Sequence, residues 1–169
     1  MWRMSAEAKG SGRVTLIRPK SCFPQMAFQD TFEVKTAGRG ITEITAQVGR
    51  IVRMSDIMGC GIANVFVQHT SCSLMITENA DPSVRRDLET LARRWAPDGD
   101  RAYRHDTEGD DDMAAHARSV LAGCSLTVPI DNGSLLLGTW QGIFLWEHRA
   151  QPHVRMVVVT VVGESVPRS

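Results

Sequence analysis

The chain has 169 residues, 43% of them hydrophobic, enough to bury one sizeable core without covalent staples, and a single domain is expected. Its 19 basic and 19 acidic residues cancel, which leaves no electrostatic footprint for nucleic acid or an anionic membrane. No apolar run approaches the roughly 18 residues of a membrane-spanning helix.

Residues 1–12 are small, polar and glycine-bearing, and weak order is expected there. They lack the apolar stretch of a secretory signal, so a cytoplasmic location is expected. Residues 1–26 read as an N-terminal extension, partly disordered, ahead of a domain spanning 27–169. The four cysteines (Cys22, Cys60, Cys72 and Cys124) form no CxxC or CxxH pair, so a thiolate zinc site has no support. Cys60, Cys72 and Cys124 lie among apolar or small residues and read as reduced core thiols.

Ala27–Thr36 alternates, with Phe28, Asp30, Phe32 and Val34 on one face, the pattern of a half-buried strand. After the break at Gly38-Arg39-Gly40, Ile41, Ile44, Val48, Ile51 and Val52 recur at three- and four-residue steps and predict an amphipathic helix ending near Ser55–Gly59. Gly61–Gln68 is β-rich and apolar, a central strand, and Leu74–Thr77 resumes the apolar run after a small polar interruption. Asp81-Pro82 opens a second helix, with Asp81 as N-cap and Pro82 at the first helical position. Val84, Leu88, Leu91 and Trp95 form its expected buried stripe, and Pro97 stops it. A third helix runs from Asp110–Asp112 to Leu121, closed by Gly123. Ser125–Ile130 and Ser134–Leu137 flank Asp131-Asn132-Gly133, a hairpin signal. Gly142–Trp146 and Val154–Val162 are the last strands, and the apolar Val157–Val162 belongs in the middle of a sheet. Hairpins and helices mix without regular βαβ alternation, so the fold class is α+β with a largely antiparallel sheet and about three helices.

Tyr103–His116 concentrates chemistry. It holds two of the five histidines, five carboxylates and the only tyrosine within fourteen residues. Asp112 and His116 stand four apart and share a face of the third helix. Imidazole with carboxylate suits a divalent ion such as Zn²⁺, Mn²⁺ or Mg²⁺, so His105, His116 and Asp112 are the candidate metal ligands. The alternative is that His116 packs and the aspartates cap the helix. His69 ends a strand beside hydroxyl and thiol residues; it is either a satisfied strand-end histidine or a general acid–base.

Several segments resemble the YjbQ family (UPF0047), described as a secondary thiamine-phosphate synthase family. They are His69-Thr70-Ser71-Cys72-Ser73-Leu74, Glu78-Asn79-Ala80-Asp81-Pro82, Tyr103–His116, and Leu137-Gly138-Thr139-Trp140-Gln141-Gly142-Ile143 with Glu147-His148-Arg149. The likeness runs from about Phe28 to Glu164. It implies a compact β-sandwich-like α+β fold, a trimer with polar sites near subunit boundaries, and a transferase activity. That activity joins a pyrimidine diphosphate to a thiazole phosphate with loss of pyrophosphate, as a secondary activity.

With the resemblance in hand, further candidates follow. His69 becomes a third ligand or catalytic group. Asn79 and Asp81 suit a turn and a helix cap, though a cap can also face a site. Glu108, in an irregular acidic segment, is either solvated or functional. Thr139 and Gln141 flank Trp140 and could bind ligand amides or phosphate. Glu147 is a candidate catalytic group, and Arg149 a candidate phosphate clamp because guanidinium presents paired donors. Trp140 and Trp146 offer aromatic area for subunit contacts. The expected partners are a small phosphorylated metabolite and two further copies of the chain. Three readings stay open: a metal-dependent transferase, a metal-dependent hydrolase or acid–base enzyme, and a non-catalytic metabolite-binding trimer. No GxxxxGK[ST] phosphate loop is present, which weighs against a nucleoside-triphosphatase.

Overall fold

The computed structural model describes residues 25–164, so residues 1–24 of the expected extension, with Cys22, lie outside the described residues. The elements are β1 (Gln25–Lys35), β2 (Gly40–Glu43), α1 (Thr45–Met54), β3 (Gly61–Val67), β4 (Cys72–Glu78), α2 (Pro82–Trp95), α3 (Asp112–Ala122), β5 (Ser125–Asp131), β6 (Ser134–Leu135), β7 (Gln141–Glu147) and β8 (Val154–Glu164). They form an α+β fold of two antiparallel sheets, ordered β1-β8-β3-β5-β6 and β2-β7-β4, with three helices.

Period-two burial explains the larger sheet. In β8, Arg155, Val157, Val159 and Val161 are buried and the residues between them are only partly covered. Val157, Val159 and Val161 meet Ala63, Val65 and Val67 of β3 and Val128 and Ile130 of β5 in one core with Leu74, Ile143 and Leu145 of the smaller sheet. Each such valine contributes on the order of 1.5–3 kcal/mol relative to exposure. β8 lies between β1 and β3, and β3 is the middle strand, as their apolar runs require. The β5–β6 hairpin turns at Asn132 (φ 48°) and Gly133 (φ 68°), the left-handed pair that a two-residue type I′ turn demands.

Four expectations are corrected. Ile41 is not helical: Gly40–Glu43 is a strand paired with β7, and Ile41, opposite Trp146, shares a cleft with α2 residues, while α1 keeps Val48, Ile51 and Val52 as its buried stripe. The periodicity continued across the boundary because Ile44, fully buried just before the helix, keeps the helical phase. In α2 only Ala92 is buried, and Leu91 and Trp95 are 37% and 58% exposed, because the helix rests on the outer face of the small sheet largely through polar groups. Trp146 is buried instead of exposed, its indole N–H held by Glu89 Oε2 at 2.9 Å. Cys60 and Cys124 are exposed; among the described residues Cys72 alone is a core thiol, and burial raises its pKa to about 12.

Candidate metal centre

The first turn of α3 meets the chain leaving β7. Asp112 opens α3 and is buried at 2% exposure. Its Oδ1 accepts from Arg149 Nη1. Arg149 also donates from Nε to Asp111 Oδ2 (3.2 Å) and from Nη2 to the Glu108 carbonyl (2.8 Å). Asp111 accepts the Ala150 N–H at 2.6 Å as well; burial works to raise its carboxyl, but these hydrogen bonds outweigh it and hold it below the ordinary range. Two side chains, Arg149 and Asp111, and two backbone groups thereby fix the Asp112 carboxylate.

Its second oxygen is different. Oδ2 is buried and accepts no hydrogen bond. His105 Nε2 lies 2.8 Å from it, off the hydrogen-bond line, and His116 Nε2 lies 3.5 Å away. The three ligand atoms fall within 4.8 Å of one another, with the imidazole rings 5.4 Å apart and tilted by 53°. His116 Nδ1 is 3.1 Å from the Thr70 carbonyl, which can only accept, so Nδ1 carries the proton and Nε2 presents a lone pair. An orphaned carboxylate oxygen and a lone pair converging on one point is the donor set of a divalent-cation site, with a carbonyl holding the histidine tautomer as metal-binding histidines require.

Beside this cluster the two sheets are clamped by a buried ion pair. Glu147 and Arg155 are each 1% exposed in their side chains, joined by Nε–Oε2 (2.7 Å) and Nη2–Oε1 (2.6 Å). Thr36 Oγ1 and the Arg149 N–H also donate to Glu147. Burial works to raise the Glu147 carboxyl; the Arg155 fork and these donors outweigh it and lower it. Glu147 is therefore saturated and sealed from solvent. Arg155 Nη2 reaches Ser71 Oγ (3.2 Å), and Ser71 presents its N–H (3.1 Å) and Oγ (3.0 Å) to His69 Nδ1. With Nδ1 accepting, His69 carries its proton on Nε2. Burial, then the Arg155 charge, lower its pKa, so it is neutral near pH 7.

Two clefts flank the cluster. One of about 280 Å³ runs past His105 and is lined by Asp100, Asp106 and Asp110; the other, about 410 Å³, runs past His116 between Trp95, Met113 and Leu121, and Tyr103 borders both.

The remaining candidates lie elsewhere. Asn79 Nδ2 donates to the Gln141 carbonyl (3.3 Å), and Gln141 Oε1 accepts the Gly138 N–H (2.8 Å), closing the turn that carries Thr139. In the β4–β7 register Cys72 faces Glu147 and Glu78 faces Gln141, so six residues, about 20 Å, separate this turn from the Glu147 end within one chain. Asp81 caps α2 through the Ser83 N–H at 2.7 Å, which lowers its carboxyl. Glu108 reaches Arg149 only at 4.0 Å and is 67% exposed. Arg155 and Ser71 were missed from sequence. Arg155 carried a readable signal: a charge in phase with the buried valines of β8 must be paired.

The fold and the cluster define an antiparallel α+β sandwich with a histidine–carboxylate centre at one end. Its sequence matches the family described as "UPF0047 protein YjbQ-like" over residues 30–164, and the chain belongs to that family. It is 48% identical to UPF0047 protein sll1880 of Synechocystis over 80% of this chain and 92% of that protein. It is 38% identical to UPF0047 protein YjbQ of Escherichia coli O157:H7 over 82% of this chain and 100% of that protein. The crystal structure of a YbjQ-like protein of unknown function from Sulfolobus solfataricus P2 covers 83% of this chain and 100% of its own, with a TM-score of 0.77 and 29% identity. Among the described residues no helix is long and apolar enough to cross a membrane.

Proposed function

We propose that this chain is a divalent-metal-dependent transferase of small phosphorylated metabolites, acting on a pyrimidine diphosphate and a thiazole phosphate as its family resemblance implies. The observation that carries the metal is the buried, orphaned Asp112 Oδ2 with His105 and His116 Nε2 turned toward it. These three atoms would hold the ion, which supplies Lewis-acid stabilisation of a departing pyrophosphate. In the transfer a thiazole nitrogen forms a bond to the pyrimidine methylene, the methylene C–O bond breaks, and pyrophosphate leaves with the electron pair. Arg149 keeps the carboxylate in place. The Glu147–Arg155–Ser71 relay orients His69, whose Nε2–H is positioned to donate to a phosphate oxygen. The apolar cleft beside His116 offers Trp95 and Tyr103 to a flat heterocycle.

Trimer formation belongs to the same reading. Leu91, Trp95, Val120, Leu121 and Trp140 are exposed apolar side chains of the kind that subunit contacts cover. The Gly138–Gln141 turn, about 20 Å from the Glu147 end in one chain, would then join a site only across a subunit boundary.

One observation favours a second reading, a metal-dependent hydrolase or acid–base enzyme. Arg149 is committed to Asp111, Asp112 and Glu108, and the cleft past His105 sets three carboxylates, Asp100, Asp106 and Asp110, against the single Arg101, a balance of charge that disfavours a diphosphate. Metal analysis of chelator-free protein, followed by a pyrophosphate-release assay with both phosphorylated substrates, tests the proposal. Bound metal with metal-dependent pyrophosphate release supports the transferase. Bound metal without it leaves the second reading, and metal-free protein refutes both.

A further inference from the structure

A different part of the molecule concentrates positive charge. Between α2 and β2 runs a cleft of about 800 Å³, floored by Ile41 and walled by Arg85, Arg86, Arg93 and Arg94, with Glu89 as its one carboxylate. In a chain with no net charge, four arginines around one cavity are a local excess. Glu89 pairs with Arg93 alone of the four. Its Oε2 takes the Trp146 indole N–H at 2.9 Å, and its Oε1 takes Arg93 Nε at 3.1 Å with Arg39 Nε at 3.8 Å. Among the described residues Arg85, Arg86 and Arg94 form no ion pair.

The arrangement is built and not merely solvated. The Arg85 guanidinium is centred 5.5 Å from the Phe144 ring centroid, a cation–π contact that holds it at the wall. Arg85 and Arg86 also stand within five residues of the start of α2, where the N-cap carboxylate of Asp81, already held by the Ser83 N–H, feels both charges. Arg86 and Arg93, seven residues apart, lie on one stripe with their backbones about 10 Å from each other, which leaves room for more than one phosphate group.

We propose that this cleft is an anion site for a small metabolite carrying two or more phosphates, a ligand of nucleotide-diphosphate or -triphosphate size. The volume matches a small-molecule pocket, and guanidinium forks suit phosphate oxygens. A nucleic acid is the less fitting occupant, because the overall balance of charge supplies no basic track beyond the cleft. The site is independent of the histidine–carboxylate centre and of any reaction assigned to it.

The test uses the full chain in chelator with inorganic tripolyphosphate as probe, followed by calorimetry at low and raised salt. Binding that weakens with salt is expected, and Arg86→Ala/Arg94→Ala should lose about tenfold or more in affinity. Arg86→Lys/Arg94→Lys should recover part of it, and Asp112→Asn should bind as the native chain does. Thermal unfolding verifies that each variant is folded; all the altered side chains but Asp112 are surface groups, so the alanine and lysine pairs should melt with the native chain. No binding at about 1 mM probe overturns the proposal. So does unchanged binding in the folded alanine variant, an equal loss in Asp112→Asn, or a short single-stranded oligonucleotide that displaces the probe at lower concentration than the probe itself requires.

Discussion

Removing Arg155 while leaving Glu147 in place is the most discriminating perturbation of this fold. In Arg155→Met the carboxylate stays between the sheets at 1% side-chain exposure, having lost both short hydrogen bonds and keeping only Thr36 Oγ1 and the Arg149 N–H. Breaking one side of a buried pair costs about 3–5 kcal/mol, because the surviving charge is left uncompensated. For a domain of this size each kcal/mol lowers Tm by about 2–4 °C, so a fall of about 6–20 °C is expected by circular dichroism. The pH dependence follows from the direction of the shift. In the native chain the Glu147 carboxyl is lowered, so its contribution is present above the unfolded value and is lost as pH falls through the folded one. In Arg155→Met burial acts without the fork and moves the carboxyl upward. The gap between variant and native chain should then narrow on going from pH 7 toward pH 5. Adding Glu147→Leu removes the stranded charge and should recover most of the loss, since replacing a whole buried pair by apolar groups is often neutral or stabilising. A single variant within about 0.5 kcal/mol of the native chain would refute the reasoning, as would a double variant no more stable than the single one.

Three other outcomes are expected. His116→Ala should stay folded and lose tenfold or more in metal affinity, with Asp112→Asn acting in the same direction, whereas normal metal content in chelator-free His116→Ala protein removes that residue from the centre. His148 is fully buried, and burial, then the Arg118 charge, lower its pKa to about 3. Its depressed folded value means that its stabilisation is complete above about pH 6.5 and drains away as pH falls toward 3, so His148→Gln should flatten the acid limb of a urea-denaturation series relative to the native chain. Light scattering at micromolar concentration should give three chains per particle, and a charge placed in the exposed apolar surface, Leu121→Glu, should shift it toward monomer; a native chain already monomeric contradicts the trimer.

Local chemistry determined much of this protein. Alternation placed β1, continuous apolar runs placed β3 and β8, Asn132-Gly133 fixed the hairpin, and Asp81-Pro82 set the start of α2, because each depends on residues within a few positions of one another. The spacing of Asp112 and His116 likewise put them on one helix face. Only the tertiary structure decided the rest. Ile41 joined a strand because β7 offered it a partner, and half of the α2 stripe stayed uncovered because the helix meets Trp146 and Phe144 through Glu89 and Arg85. His105 joined the cluster through an irregular loop that has no period to read. Arg149 proved to be the group that holds Asp112, and Arg155 the one that holds Glu147, because salt bridges across 37 and 8 residues depend on where two backbones end up. The sequence carried the donor groups; the convergence of two imidazoles on an oxygen with no hydrogen bond is a property of packing, which the order of residues encodes only through the whole fold.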